Sequence, residues 1–209
     1  MAKTRPIFSR FYQLTTKAEG RRFKEMRAGL LKGLSGTVVE VGCGNGMMFD
    51  HYPEAVQAVV AIEPEPNLRR AAAIRASQVP ANIEVRPGDA TSLPLHDGSA
   101  DAVVFCLVLC SVEDVRAAAR EAFRVLRPGG QARIFEHTLD PQEGLMRKFQ
   151  KGIDPVWKML AGGCRLTRDP IRPLQDAGFA VEGETRQRFR IAPGIPVVDP
   201  QVIATLRRP

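Results

Sequence analysis

Short apolar runs alternate with amphipathic segments along most of the chain. The runs are rich in Val, Ile and Ala, and their near-continuous apolar character is typical of strands that are buried on both faces of a parallel sheet. Glycine, proline and asparagine separate many of them from their neighbours. The pattern predicts seven strands, at Thr37–Val41, Ala58–Ile62, Asn82–Arg86, Ala102–Leu107, Gln131–Glu136, Ala180–Arg186 and Gln201–Arg207.

Helical periodicity occupies the segment before the first strand and several segments between strands. Strands that alternate with helices form βαβ units, which give a parallel sheet with helices on both faces. We therefore expect an α/β protein with a Rossmann-like, seven-stranded, mainly parallel sheet. Residues 1–36 are expected to form an N-terminal helical cap or lid on a domain of residues 37–209. The predicted helices are Ile7–Leu34, Asn67–Ser77, Asp114–Leu126, Leu145–Leu160 and Asp169–Ala177.

The charge is concentrated at one end of the sequence. The chain has 209 residues and a formal net charge of +7, and nine Lys/Arg against two Asp/Glu in residues 1–36 account for all of it. This basic segment is either a solvated helix or a patch for acidic lipids, nucleic acid or an anionic substrate. No RNP motif, zinc knuckle or interleaved basic and aromatic pattern accompanies it, so we expect no nucleic-acid partner. Weak contact with a membrane surface through this segment is consistent with the charge.

The four cysteines predict neither a disulfide framework nor a metal site. No C-x-x-C pair occurs, and no His or Cys cluster completes a zinc set. Met1–Arg10 lacks the apolar core of a signal peptide, and the longest apolar run, Ala102–Cys110, is about half of what a bilayer span needs. The sequence therefore predicts a cytoplasmic protein without a transmembrane segment and with reduced thiols.

A glycine-rich loop follows the first predicted strand. Gly42-Cys43-Gly44-Asn45-Gly46 comes before an expected helix, and glycines there let the backbone approach a ligand closely. The third glycine is one residue early for a dinucleotide fingerprint. Glu40 stands two residues before the loop. Its carboxylate would disfavour a pyrophosphate and suit a cationic or amino-bearing ligand.

Two further carboxylates end neighbouring strands. Glu63, followed by Pro64, ends the second strand and suits the two hydroxyls of a ribose. Asp89, in Gly88-Asp89-Ala90 after the third strand, could accept a hydrogen bond from an adenine amino group. Together with the loop and Glu40 they fit S-adenosylmethionine, a cationic adenosine. The alternative for Glu63 and Asp89 is an ordinary role as helix or turn caps.

Residues 37–138 resemble the class I S-adenosylmethionine-dependent methyltransferases. The resemblance rests on Val39–Gly46, Gly88–Ala90, Leu93–Leu95, Asp101–Val104 and Arg124–Gly130. It implies S-adenosylmethionine as cofactor and S-adenosylhomocysteine as product. The cofactor-binding residues it implies are Tyr12, Glu40, Gly42, Cys43, Gly44, Asn45, Gly46, Glu63, Pro64, Asp89, Ala90 and Cys106.

A narrower resemblance, over about residues 37–185, is to the methyltransferase-like thiol S-methyltransferases and their soluble bacterial relatives. It is carried by Leu107–Val112, Phe135–His137, Asp154–Lys158 and Gly163–Arg168. The mammalian members begin with an apolar anchoring segment that this sequence lacks, which argues against membrane attachment. The implied reaction moves a methyl group to a small-molecule thiol or hydroxyl. Alternatives are N- or C-methylation of a lipid- or quinone-type acceptor, and a cofactor-binding protein that does not methylate.

His137, Cys110 and Ser111 are the candidate residues on the acceptor side. His137 follows the fifth strand and is either a general base or a buried structural histidine. Cys110 and Ser111 follow the fourth strand and could line the pocket, although Cys110 is also a typical small buried residue. Glu136 is expected to orient its surroundings. We expect a monomer or a homodimer.

Overall fold

In the computed structural model, residues 20–188 and 196–209 are described, and their seven strands form one sheet in the order β3-β2-β1-β4-β5-β7-β6. The strands are β1 (Gly36–Val41), β2 (Val56–Ile62), β3 (Ile83–Arg86), β4 (Ala100–Cys106), β5 (Leu126–His137), β6 (Ala180–Arg188) and β7 (Pro200–Arg207). The helices are α1 (Arg21–Leu31), α2 (Pro66–Ala76), α3 (Val115–Val125), α4 (Leu145–Leu160) and α5 (Ile171–Asp176).

The sheet is parallel from β3 through β5 and antiparallel only where β7 pairs with β5 and β6. In β1, Val39 is in register with Val60 of β2 and with Val103 of β4. The predicted seven-stranded, mainly parallel α/β sheet is therefore confirmed. Because β1 to β5 run in the same direction, their carboxyl ends lie along one edge.

Apolar side chains cover both faces of the sheet. One face packs against α3 and α5 through residues such as Ala118, Ala122 and Leu174. The other packs against α1, α2 and a short 3-10 helix at Phe49–His51. The Phe23 ring of α1 meets the Phe135 ring of β5 edge to face, at 5.9 Å between centroids. The described part of the N-terminal segment therefore belongs to the core layer.

Two local expectations were wrong. The helix expected directly after the glycine loop is only the 3-10 turn at Phe49–His51, because Pro53 follows and cannot continue a helix. Strand β5 begins at Leu126, earlier than predicted, because Leu126 pairs with Ala100 before a register shift. None of the described helices is both long and apolar enough to cross a bilayer. Residues 7–19 of the predicted first helix lie outside the described residues, so the cap on residues 1–36 stays a prediction.

Candidate functional site

The glycine loop bridges the ends of β1 and β2. The amides of Gly42 and Cys43 both donate to the Ile62 carbonyl, at 2.7 and 3.1 Å. Gly42 has φ +70, and a Cβ there would lie 2.7 Å from the Val108 side chain. At Gly46, with φ +81, a Cβ would meet the Phe49 ring at 2.6 Å. Glycine is thus required at both positions by the loop's own conformation and packing, and not by ligand approach alone.

Glu63 holds the loop in place. Its buried carboxylate accepts the Gly44 amide at 2.8 Å and the Glu65 amide at 2.9 Å, one on each oxygen. A carboxylate has about four lone-pair sites, so capacity remains for two hydroxyl donors. Burial raises the pKa of Glu63, and the two amide bonds oppose that rise.

Glu40 lies beneath the loop, on β1. Its side chain is buried, and the Tyr52 hydroxyl donates to it at 2.7 Å. Burial raises the pKa of Glu40 to about 7, although the Tyr52 hydrogen bond and the nearby charge of Arg27 act in the opposite direction. A carboxyl with such a pKa becomes fully ionised when a cation approaches.

The remaining predicted cofactor residues lie at the same edge or in the loop itself. Asp89 is exposed, and its Oδ1 accepts the Thr91 amide at 2.8 Å and the Thr91 hydroxyl at 2.6 Å. Asp89 therefore caps its own turn, and its role toward a cofactor stays a prediction. Ala90 is buried, and Asn45, Pro64 and Cys106 are half-buried. Tyr12 lies outside the described residues.

Glu136, near the end of β5, organises the chain after β4. Its fully buried carboxylate accepts the amides of Val108 and Leu109, each at 2.7 Å, and of Cys110 at 3.1 Å. The preceding residue, Leu107, has φ 60, which is costly for a side chain other than glycine. The expectation that Glu136 orients its surroundings is confirmed. With its oxygens committed to amides, Glu136 is poorly placed to act as a base.

The side chains of Cys110, His137 and Cys164 lie close together beside the turn that follows β4, and we call them the thiol–imidazole cluster. All three are buried, and one ligand atom from each lies within 4.8 Å of the others. His137 Nδ1 is 3.4 Å from Cys164 Sγ, whereas His137 Nε2 is buried with no hydrogen-bond partner among the described residues. The hydrogen bond from Cys110, followed by His137, lowers the pKa of Cys164, and the same interaction raises the pKa of Cys110.

Three polar contacts fix the segment that carries Cys164, between α4 and α5. The Arg165 amide donates to the Cys110 carbonyl at 2.9 Å. The Arg168 guanidinium donates to the Leu109 carbonyl at 2.6 Å, and the Leu166 amide donates to the buried Asp154 carboxylate at 2.6 Å. The segment is thereby held against both the turn after β4 and helix α4.

Sequence reasoning missed the convergence of this cluster. Cys110 and His137 were separate candidates, and Cys164 was considered only as part of Gly163–Arg168, a motif of the narrower resemblance. The three residues come from the turn after β4, the end of β5 and the segment between α4 and α5. Because 27 positions separate neighbouring members, no local spacing signals the cluster. Ser111 lies beside it, half-buried, with its Oγ 3.5 Å from Cys110 Sγ.

The sequence is similar to a known protein family and to individual proteins. Residues 39–134 match the family described as "Methyltransferase domain". Human thiol S-methyltransferase TMT1B is 36% identical over 159 residues, which are 72% of this chain and 64% of that protein. The chain thus spans slightly less than two thirds of the length of this relative.

Solved structures match most of the chain. A geranyl diphosphate methyltransferase in complex with SAM has a TM-score of 0.73 at 16% identity, covering 90% of this chain and 85% of its own. The [4+2]-cyclase SpnF has a TM-score of 0.69 at 20% identity, covering 90% and 81%. At these identities the likeness concerns the fold. Residues 39–134 are therefore a methyltransferase domain, and the sheet built around them has the class I methyltransferase fold.

Proposed function

We propose that this protein is an S-adenosylmethionine-dependent methyltransferase whose acceptor is a small-molecule thiol. The observation that carries the proposal is the 36% identity to human thiol S-methyltransferase TMT1B, which extends over 159 residues and so well beyond residues 39–134. The geometry at the strand ends supports it in two ways, one for the cofactor and one for the acceptor.

The described residues fit the cofactor's chemistry. S-adenosylmethionine, when bound, supplies a methyl group on a positively charged sulfur. Glu40 is a buried carboxyl whose pKa of about 7 lets a neighbouring cation draw it into the ionised form. Glu63 already positions the Gly44 amide and retains lone pairs for ribose hydroxyls. Asp89 has one oxygen occupied by Thr91, and its Oδ2 would be the acceptor for an adenine amino group.

The acceptor side favours a thiol over a hydroxyl. An ordinary thiol has a pKa of about 8.5 and is partly ionised at neutral pH, whereas a phenol near 10 depends more on a general base. Glu136 is committed to three backbone amides. His137 directs Nδ1 toward Cys164, and its role as a base stays a prediction. An acceptor that needs little help in losing its proton matches this arrangement.

A second candidate function is cofactor binding without methyl transfer. The observation that favours it is the likeness to the [4+2]-cyclase SpnF, with a TM-score of 0.69, since a protein with this fold is named for a cyclisation. Under this alternative the glycine loop and Glu63 would still bind S-adenosylmethionine. The two functions therefore differ in turnover and not in binding.

Methyl transfer to matched acceptors tests the proposal. Isotope-labelled S-adenosylmethionine is supplied with pairs of a thiol and a phenol on the same carbon skeleton, and S-adenosylhomocysteine is measured alongside. We expect label on sulfur. A reaction without protein gives the background rate of thiol methylation, and calorimetry in the same samples verifies cofactor binding.

The outcomes separate the candidates. Label on the phenol only would contradict the thiol assignment and indicate an O-methyltransferase. Bound cofactor without label on any member of a broad panel, which also includes amine and quinol acceptors, would contradict methyl transfer to small molecules. It would favour the non-methylating alternative. Label on an amine or on carbon would identify one of the other acceptor classes.

A further inference from the structure

We propose that Cys110, His137 and Cys164 form a binding site for a single Zn²⁺ ion, with one coordination position left open. The proposal concerns the thiol–imidazole cluster alone. It does not depend on which acceptor the protein methylates, or on whether it methylates at all.

The donor set is that of a zinc site. Thiolate sulfur and imidazole nitrogen are the ligands that Zn²⁺ takes most often, in tetrahedral geometry. Hard cations such as Mg²⁺ and Ca²⁺ prefer oxygen ligands, and within the described residues this cluster presents two sulfurs and a nitrogen. Three protein ligands with one open position are the pattern of zinc sites that bind water or a substrate atom.

The distances are close to those that zinc requires. With Zn–S of about 2.3 Å and Zn–N of about 2.0 Å, tetrahedral geometry places sulfur and nitrogen about 3.5 Å apart and two sulfurs about 3.8 Å apart. Cys164 Sγ and His137 Nδ1 are 3.4 Å apart. The three ligand atoms all lie within 4.8 Å of one another, so binding requires any pair to approach by at most about 1.3 Å.

The surroundings hold the three ligands together before any ion arrives. His137 is the last residue of β5, inside the sheet, and Cys110 is fixed through its amide to Glu136 at 3.1 Å. Cys164 is fixed through the Arg165 amide, which donates to the Cys110 carbonyl at 2.9 Å. Pre-positioned ligands lower the cost of ordering a metal site.

A second observation points to a missing ligand. His137 is 9% exposed, and its Nε2 has no hydrogen-bond partner among the described residues. A buried polar atom without a partner is unfavourable unless something absent from the protein satisfies it. An ion on Nδ1, the nitrogen beside Cys164, would fix the proton on Nε2, and that N–H would then donate to an ordered water or a bound molecule outside the cluster.

Metal content of the reduced protein tests the proposal. Wild-type protein is purified with reductant, incubated with Zn²⁺ and freed of loosely bound ion by gel filtration. We expect about one zinc per chain by mass spectrometry, because the cluster offers one set of three ligands. We also expect Cys110→Ser and Cys164→Ser to lower zinc affinity by at least tenfold in competition with a chromophoric chelator. Cys106→Ser is the matched control, since Cys106 lies outside the cluster, and should bind zinc like the wild type.

Two readouts keep the test independent of activity and of folding defects. Co²⁺ in place of Zn²⁺ should give thiolate charge-transfer absorption in the wild type and in Cys106→Ser. Zinc should raise the melting temperature of those two proteins, and have a smaller effect on His137→Asn, because an ion that binds only the folded state stabilises it. The proposal is overturned if folded wild-type protein with all four thiols reduced binds no zinc, or if the cluster variants bind it as tightly as Cys106→Ser.

Discussion

Glu63 and Glu136 are both buried carboxylates near strand ends, but they differ in what their lone pairs do. Glu136 accepts three amides from one turn, whereas Glu63 accepts one amide on each oxygen. Lone pairs thus remain on Glu63 for a ligand, while Glu136 serves the chain itself. The two residues should therefore respond differently to the same conservative substitution.

Glu63→Gln should weaken S-adenosylmethionine binding, and it should also cost some stability because one of the two backbone amides loses its acceptor. The amide oxygen of Gln can still accept one backbone N–H, but the charge that strengthens hydrogen bonds to ribose hydroxyls is lost. A hydrogen bond to a charged group is worth about 1.5–3 kcal/mol, so the dissociation constant should rise by roughly 10- to 150-fold. Isothermal titration calorimetry measures it, with Glu84→Gln on the exposed side of β3 as control. Unchanged affinity would remove Glu63 from the ribose role.

Glu136→Gln should destabilise the fold without removing a ribose partner. The Gln oxygen can replace Oε1, which accepts the amides of Val108 and Leu109, but the buried Cys110 amide then faces the NH2 group without an acceptor. A buried donor without a partner costs about 1–3 kcal/mol, and we expect the free energy of unfolding to fall by about that amount in urea denaturation. Glu113→Gln makes the same change at an exposed position after the same turn, and should stay within about 0.5 kcal/mol of wild type. Equal stability of the two variants would contradict the positioning role of Glu136.

At the scale of elements, two loops at the strand ends are packed into each other. Gly42 of the first loop contacts Val108 of the turn after β4, and Glu136 holds that turn. The loop's glycine spacing could be recognised in sequence because every residue of it is local. The contact with Val108 could not, since it depends on β1 and β4 being neighbours in the sheet.

Gly42→Ala should perturb both loops at once. The substitution places a non-glycine residue at φ +70 and its Cβ 2.7 Å from Val108. Gly129→Ala is the matched control, because Gly129 has a similar φ of +79 and nothing within 4 Å of the added Cβ. The positive φ alone costs about 1–2 kcal/mol, which both variants share. We expect Gly42→Ala to lose at least about 1 kcal/mol more, and S-adenosylmethionine affinity as well. Equal losses of stability in the two variants would mean that the close approach to Val108 adds nothing to the cost of the substitution.

At the scale of the whole molecule, the alternation of strands and helices in the sequence was enough to predict the layered fold, because a parallel sheet needs helical crossovers. It also predicted the position of the candidate site, since the loops after parallel strands lie at one edge of the sheet. Glu40 and Glu63 could be chosen as candidates because each stands beside a strand end. The thiol–imidazole cluster was not predicted, since the turn after β4, the end of β5 and the segment between α4 and α5 bring Cys110, His137 and Cys164 together. The turn cap at Asp89 could be proposed as an alternative because its partner, Thr91, is only two residues away. The cluster depends on long-range packing, which no local spacing reveals.

The buried carboxyls at this edge should make the free energy of unfolding depend on pH. Glu40 determines the pH range over which it changes. Its pKa is about 7 in the folded protein and near 4.5 when unfolded, so the folded state binds more protons between those values. Stability contributed by Glu40 is therefore present below about pH 4.5 and lost as pH rises to about 7, by roughly 3 kcal/mol in all. His51, whose pKa burial lowers, acts in the opposite direction below pH 6.5.

Comparison with Glu40→Gln isolates the Glu40 contribution, because His51 is common to both proteins and the Gln oxygen can still accept the Tyr52 hydroxyl. The free energy of unfolding of wild type relative to Glu40→Gln, measured in urea at pH 5, 6, 7 and 8, should decline between pH 5 and 7 and then level off. Saturating S-adenosylmethionine should reduce that decline in wild type, since a cation beside Glu40 lowers its pKa in the folded state. A difference that does not vary with pH would show that Glu40 titrates normally in the fold. If S-adenosylmethionine leaves the decline between pH 5 and 7 unchanged, the positive charge of the cofactor does not lie beside Glu40.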